Sequence, residues 1–339
     1  MKLPQWLGLL SLAMASYVLW QIRQLLLLGF LAIVIAIALH RLVNTLQNWG
    51  CRRRWALTLT LGGAGLLSVC FIALVVPPFW EQFQDLLKLM PQVLGRLQNV
   101  MATLQTQGQL WGLEQWWSGN SSGQSLSALG AQLLGNVLAF FSNSVVASLQ
   151  VLLVLALSVM LVLQPQAYRR LALQLFPSFY RRRADEILTL SELALGNWLT
   201  GIVINSVFIA LLSGLGLWAL QIKLVLVHAL MAGILNFIPN IGPAASVVFP
   251  LMIALLDSPW KIGAVLFLYF IIQNIESYWL TPIVMAKQVS LLPALTLIAQ
   301  LFFASLFGLL GLLLALPLTV VAKTWLEEAI LKDVLDQWA

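Results

Sequence analysis

The sequence predicts an all-α, polytopic membrane protein, and three observations predict it. Of 339 residues, 61% are hydrophobic and 9% charged, with a mean hydropathy of +0.93; a soluble domain carries about 25% charged residues. Charge-free runs near the ~20 residues needed to cross a bilayer recur along the chain. The remaining charge is bunched: Arg41, Arg52, Arg53 and Arg54 in one loop, and Arg169, Arg170, Arg181, Arg182 and Arg183 in another beside Asp185, Glu186 and Glu192. Cytoplasmic loops keep Lys and Arg in this way, so the net charge of +6 reads as membrane topology and not as nucleic-acid binding. The expected architecture has about eight spans, or six spans plus two re-entrant hairpins, with an extracytoplasmic helical insert. It belongs in the inner membrane.

Residues 6–20 and 25–40 read as a tight pair of helices around Arg23. Lys2 and the apolar run to Ala13-Met14-Ala15 have the shape of a signal peptide. The run continues to Trp20, however, and a second follows at once, so a retained span is expected. Residues 56–77 form a third span closed by Pro77 and Pro78, which completes a first group, residues 1–78. In residues 79–144 glutamine becomes frequent, and Phe83, Leu86, Leu87, Met90, Leu94 and Leu97 fall at helical spacing. This segment reads as amphipathic helices outside the bilayer core, with Trp111, Trp116 and Trp117 suited to the interface. Residues 145–163 are a clean fourth span. Residues 164–197 read as a basic amphipathic connector along the inner surface, with Ile187, Leu190 and Ala194 on one face. A transport core (198–322) and a tail (323–339) follow. With both arginine loops in the cytoplasm, both termini are inside and residues 79–144 lie outside, where three acids face two bases.

Within the core, residues 202–220 make a regular span, and then regularity fails. Residues 224–256 are a 33-residue stretch whose only ionisable group is His228, and residues 291–322 are a 32-residue stretch with no charge. Either would make a helix about 50 Å long at 1.5 Å per residue, against a hydrocarbon core of about 30 Å. Two full spans plus a turn need about 40 residues, so a broken helix or a hairpin of two short arms is expected. The breaks fall at Pro239 to Pro243 and at Gly308 and Gly311. A span followed by an interrupted stretch occurs twice, which suggests an inverted repeat.

The first break carries the candidate site. "ILNFIPNIGPAASVVFP" (residues 234–250) puts Asn236, Pro239, Asn240, Gly242 and Pro243 inside a charge-free run. Irregular backbone survives in lipid only when it is buried in protein or lines a wet cavity. The prolines expose carbonyls, Gly242 allows a close approach or a positive φ, and the asparagines can pair freed groups or face a solute. Gln273, Asn274 and Glu276 cluster further on, Gln300 sits inside the last stretch, and Glu276 is the sole carboxylate between Asp257 and Glu327. An intramembrane carboxylate is a candidate proton or cation carrier. His228 reads as a packing residue.

Cys51 and Cys70 support neither a disulfide framework nor a metal site. No phosphate loop, H-E-x-x-H or nucleophile–base pair stands out, so no enzyme and no cofactor is expected, and transport energy comes from an ion gradient or a partner.

"LNFIPNIGPAASVVFP", "NIESYWLTPIVM" and "FGLLGLLLALPLTVVAK" (residues 307–323) together resemble the autoinducer-2 exporter family of bacterial and archaeal permeases. The likeness implies an α-helical permease of eight spans, and export of a quorum signal or sodium/proton antiport. This chain departs from the family's pattern at Trp198-Leu199-Thr200-Gly201, where arginine and glutamine are usual. It departs again at Ile283, where the family has arginine after Thr-Pro, and at Ser290-Leu291-Leu292-Pro293, where it has Gly-Leu-His-Pro. These departures bear on cargo and coupling ion. The expected function is a secondary transporter of a small polar solute, an autoinducer-2-like molecule, or of cations and protons. Its alternatives are a membrane scaffold acting through the insert or connector, and a passive channel. Expected partners are the solute or ion, membrane lipid and, through Gly62, Gly63, Ala64 and Gly65, a second copy of the chain.

Overall fold

The computed structural model describes residue 10 and residues 14–110, 144–238, 241–280, 282 and 292–335. Among them the secondary structure is helical, with no strand. The helices are α1 (Arg23–Asn48), α2 (Arg53–Leu110), α3 (Ser144–Leu163), α4 (Pro165–Gln174), α5 (Arg181–Ala219), α6 (Val225–Leu235), α7 (Ile241–Asp257), α8 (Pro259–Ile275) and α9 (Pro293–Trp325). α8 and α9 continue as π-helix over Glu276–Leu280 and Leu326–Leu335. Among the described residues five helices are long and apolar enough to cross a membrane, six if α3 and α4, bent by 94°, count as one span. Exposed side chains such as Leu66, Leu67 and Leu74 on α2 and Leu149, Leu152 and Leu155 on α3 form apolar surface that only lipid or another protein covers.

The chain divides into two compact units interleaved along the sequence: residues 1–65, 148–201 and 285–339, and residues 66–147 and 202–284. In the first unit, Ala36 and Val43 of α1 pack with Ala56 of α2 and Val162 of α3. Farther along, Leu28 and Ala32 pack with Val154 and with Leu310 of α9. Ser158, buried within α3, donates to the Ala32 carbonyl of α1 (3.1 Å) and to its own Val154 carbonyl (2.7 Å). A hydroxyl paired across helices is how apolar spans are glued.

At Arg23 the helical hydrogen bonding continues. Ile22 N–H bonds Val18 O (3.0 Å) and Leu26 N–H bonds Ile22 O (3.1 Å), so the backbone ladder runs past Arg23. The stretch YVLWQIRQLL holds no Gly or Pro, and arginine is itself a good helix former. Its guanidinium lies over the Trp20 ring, 4.2 Å from the centroid.

The helix of the third span does not end at Pro77 and Pro78: α2 runs through both and through Pro91. Each proline removes an i→i−4 bond, and packing beyond them keeps the helix going. Phe83 and Leu86 are 2% exposed and belong to one core with Leu217, Ile222, Val227, Ile253, Ala254 and Val265 of the second unit. Gln82 Oε1 also accepts the Val227 N–H at 3.3 Å, capping the first turn of α6. Phe83 and Leu86, in the first part of the insert, therefore pack onto the helices that follow. Residues 111–143, with the three interface tryptophans, lie outside the described residues.

No helix end marks the expected boundary at residues 197 and 198, since α5 is one helix of 39 residues; the division between the two units falls within it, at residues 201 and 202. Its buried stripe is Ile187, Ser191, Leu195, Trp198 and Ile202, while Leu190 is 39% exposed. Tertiary packing, and not the apolar moment of the connector alone, selects the inward face.

Both interrupted stretches break where glycine chemistry permits. α6 ends at Leu235 and α7 starts at Ile241. Val227 near the start of α6 shares a core with Ile253 and Ala254 near the end of α7, so the two short helices lie back to back. At Gly242 a Cβ would overlap the Leu235 carbonyl, so the close approach, and not a positive φ, explains this glycine. In α9, Gly308 has φ 64° and ψ −143°, a conformation open essentially to glycine alone. At Gly311 a Cβ would meet the Phe303 carbonyl and the Phe307 Cβ, the latter at 2.6 Å.

Candidate polar site in the second unit

The second unit is apolar almost throughout, so its buried polar groups are few and their positions informative. On α5, Asn205, Ser206 and Ser213 are buried; α6 contributes His228, its end Asn236, α7 Ser246, and the π-helical turn after α8 Glu276. α5 and α8 run antiparallel, so these groups meet in tiers.

The first tier is a carboxylate held by amides. Asn205 Nδ2 donates to Glu276 Oε1 at 2.7 Å, and Gln273 Nε2 donates to Oε2 at 3.3 Å and to Ser277 Oγ at 3.4 Å. Glu276 is 8% exposed and Asn205 4%. The Asn205 bond has the short length of a hydrogen bond to a carboxylate, and the Gln273 bond is longer. Glu276 opens the π-helical turn Glu276–Leu280, immediately before Pro282, whose missing N–H removes an ordinary α-helical bond. Such turns recur at functional sites.

One turn along α5, an apolar layer of Ile209, Ala232 and Ile272 with Leu212 and Leu268 closes the seam. α6 comes in tightly here, for a Cβ on Gly233 would lie 2.9 Å from the Ala210 Cβ and 3.0 Å from the Ser206 carbonyl. Beyond this layer Ser213 of α5 and Ser246 of α7 lie beside the Tyr269 hydroxyl. Ser246 Oγ donates to the Pro243 carbonyl at 2.8 Å, which gives one of the carbonyls at the break a partner. The His228 ring is fully buried. It is a packing residue by position.

Of the residues singled out in the sequence, Gln273 and Glu276 come together. Asn274 does not join them: its Nδ2 donates to the Phe270 carbonyl of its own helix at 2.6 Å. Asn236 ends α6, 2% exposed, its Nδ2 unpaired among the described residues. Gly242 and Pro243 act through backbone, as above. Pro239 and Asn240 lie outside the described residues. Gln300 is fully buried on α9 in the other unit. Asn205 was missed. The signal for it was present, an amide in the apolar run IVINSVF, but nothing local says that it meets a carboxylate 71 residues later. Among the described residues no group of three or more His, Cys, Asp or Glu could hold a metal ion.

Comparison with known proteins agrees with this architecture. The model of the family described as AI-2E family transporter matches residues 9–330. The AI-2 transport protein TqsA of Escherichia coli (strain K12) is 25% identical over 304 residues, 88% of this chain and 84% of TqsA. PerM of the same organism, which bears a permease designation, is 23% identical over 341 residues, 94% of this chain and 92% of PerM. YrrI of Bacillus subtilis (strain 168), designated a transport protein, is 28% identical over 149 residues; that match spans 44% of this chain and 42% of YrrI.

Proposed function

Because the chain belongs to the AI-2E transporter family, and so to the membrane transporters, we propose that it is a secondary transporter exporting a small polar solute, with the Asn205 and Glu276 pair as its coupling site. The observation that carries this reading is the Glu276 carboxylate, buried in an apolar unit and held at 2.7 Å by Asn205. A buried carboxylate is costly, and one with free lone pairs beside amide donors can take a proton or a small cation in exchange for solute. Ser213, Ser246 and Tyr269 offer donors and acceptors for a hydroxylated cargo on the other side of the apolar layer. TqsA is named for AI-2, and an AI-2-like cargo fits that chemistry; the departures at Ile283 and Ser290 favour a different member of the same solute class. Both arginine loops and both termini face the cytoplasm in this reading. A second copy docks along Gly62, Gly63 and Gly65, where an added Cβ meets nothing within 4 Å.

Purified protein in liposomes tests it. A proton or sodium gradient is expected to drive saturable efflux, and Glu276→Gln to cut gradient-driven flux at least about tenfold while leaving solute binding measurable. A scaffold would give no flux in any gradient, and a channel would conduct without saturating. Wild-type flux in Glu276→Gln would remove this site.

A further inference from the structure

We propose that the elbow between α3 and α4 is a binding site for the phosphate of an anionic phospholipid headgroup. At this elbow, bent by 94°, lies an open surface cleft of about 290 Å³ lined by Arg53 and Arg170, by Gln164 and Gln166, and by Leu163, Pro165 and Ala167. It lies wholly within the first unit.

Arg169 pairs with Asp185 and Glu192, Arg182 with Glu186, and Arg183 with Glu186, Glu328 and Asp333. Of the arginines without an ion pair among the described residues (in this unit Arg41, Arg52, Arg53, Arg54, Arg170 and Arg181 among them), Arg53 and Arg170 line the cleft. Two arginines lining one cleft give it a positive charge, and a phosphate can take bidentate bonds from either guanidinium. Gln164 and Gln166 add amide donors and acceptors suited to the headgroup's hydroxyls.

Depth argues for a lipid over a free ion. α3 is an apolar span that ends at Leu163, and α4 turns across its end. Leu171, Leu175 and Phe179 are exposed on and just after α4, and Trp49 and Trp55 are exposed near Arg53. Exposed aliphatic and indole side chains beside arginines mark the level of the headgroups. Leu163 and Pro165 give the cleft an apolar wall on which the start of an acyl chain can lie.

The test uses the full chain in nanodiscs of phosphatidylglycerol and phosphatidylcholine, with retained lipid counted by native mass spectrometry. Wild type is expected to retain phosphatidylglycerol selectively. Arg53→Gln with Arg170→Gln should lose about thirtyfold of that selectivity, and either single change about fivefold; the single variants keep the test open if the pair does not fold. Arg52→Gln with Arg54→Gln, which alters neighbouring arginines outside the cleft, should stay within about twofold of wild type. Equal loss in that control would mean diffuse surface charge and overturn the site. So would unchanged selectivity in the cleft variants, or equal retention of both lipids. Displacement of phosphatidylglycerol by millimolar inorganic phosphate would assign the site to a free anion instead of a lipid.

Discussion

At the scale of single residues, the bond from Asn205 to Glu276 is the one that can be tested most directly. Removing a donor from a buried carboxylate costs about 1.5–3 kcal/mol, so Asn205→Ala should lower the apparent unfolding temperature by several degrees. In a Glu276→Gln background the same change should cost much less, because the charge it satisfied is gone. A double-mutant cycle on thermal unfolding in detergent reads this coupling, and an additive cycle would mean the two side chains act separately. The ion pair of Lys261 with Asp257 (2.5 Å) makes a pH prediction. Lys261 holds the Asp257 carboxyl below the usual carboxylate range. Its contribution is therefore complete above the unfolded value of about 3.9 and is lost only as pH falls through the lower folded value. Lys261→Met should differ from wild type equally at pH 5 and pH 8, with the difference closing in stronger acid. Glu276 was legible in the sequence as a lone carboxylate; Asn205 was not, since an amide in a span is equally a helix–helix contact.

At the scale of elements, the breaks depend on individual glycines. Gly308 has a backbone conformation that a side chain strains by about 1–3 kcal/mol, so Gly308→Ala should reduce both folding yield and thermal stability. Gly242→Ala should do so more severely, because its Cβ would overlap the Leu235 carbonyl. Gly263 in α8 has open space around it, and Gly263→Ala should be neutral or slightly stabilising, since alanine favours helix by about 1 kcal/mol. Thermal unfolding of the three variants side by side checks the ranking. The positions of both breaks were readable because proline and glycine act on their own backbone. The continuity of α2 through Pro77 and Pro78 was not, because what holds it is the packing of Phe83 and Leu86 several residues on.

At the scale of the whole molecule, the first unit ties distant parts of the chain together at one end. Arg183 donates to Asp333 (3.0 Å) and Glu328 (2.9 Å), Tyr180 donates to Asp333 at 3.1 Å, and Phe176 stacks on Trp325 with ring centroids 5.5 Å apart. Isolated exposed pairs contribute about 0–1 kcal/mol, but a network with a stacked aromatic contributes more. Arg183→Ala should raise hydrogen exchange over Leu326–Leu335 by roughly tenfold at low salt and by less at high salt. Unchanged exchange would mean that α9 holds this segment without the network.

Hydropathy and charge distribution by themselves determined that this chain is an all-α membrane protein, and local backbone chemistry pointed to breaks at Pro239 to Pro243 and at Gly308 and Gly311; α6 ends at Leu235, α7 starts at Ile241, and Gly308 has the non-helical backbone. Only the tertiary structure decided that Glu276 is held by Asn205, that the insert's first part joins the apolar core, and that α5 crosses from connector to span without a break. The reason is range. Transfer into lipid and backbone freedom depend on a residue and its immediate neighbours. Which polar groups face each other across two helices depends on a packing register that no short window contains.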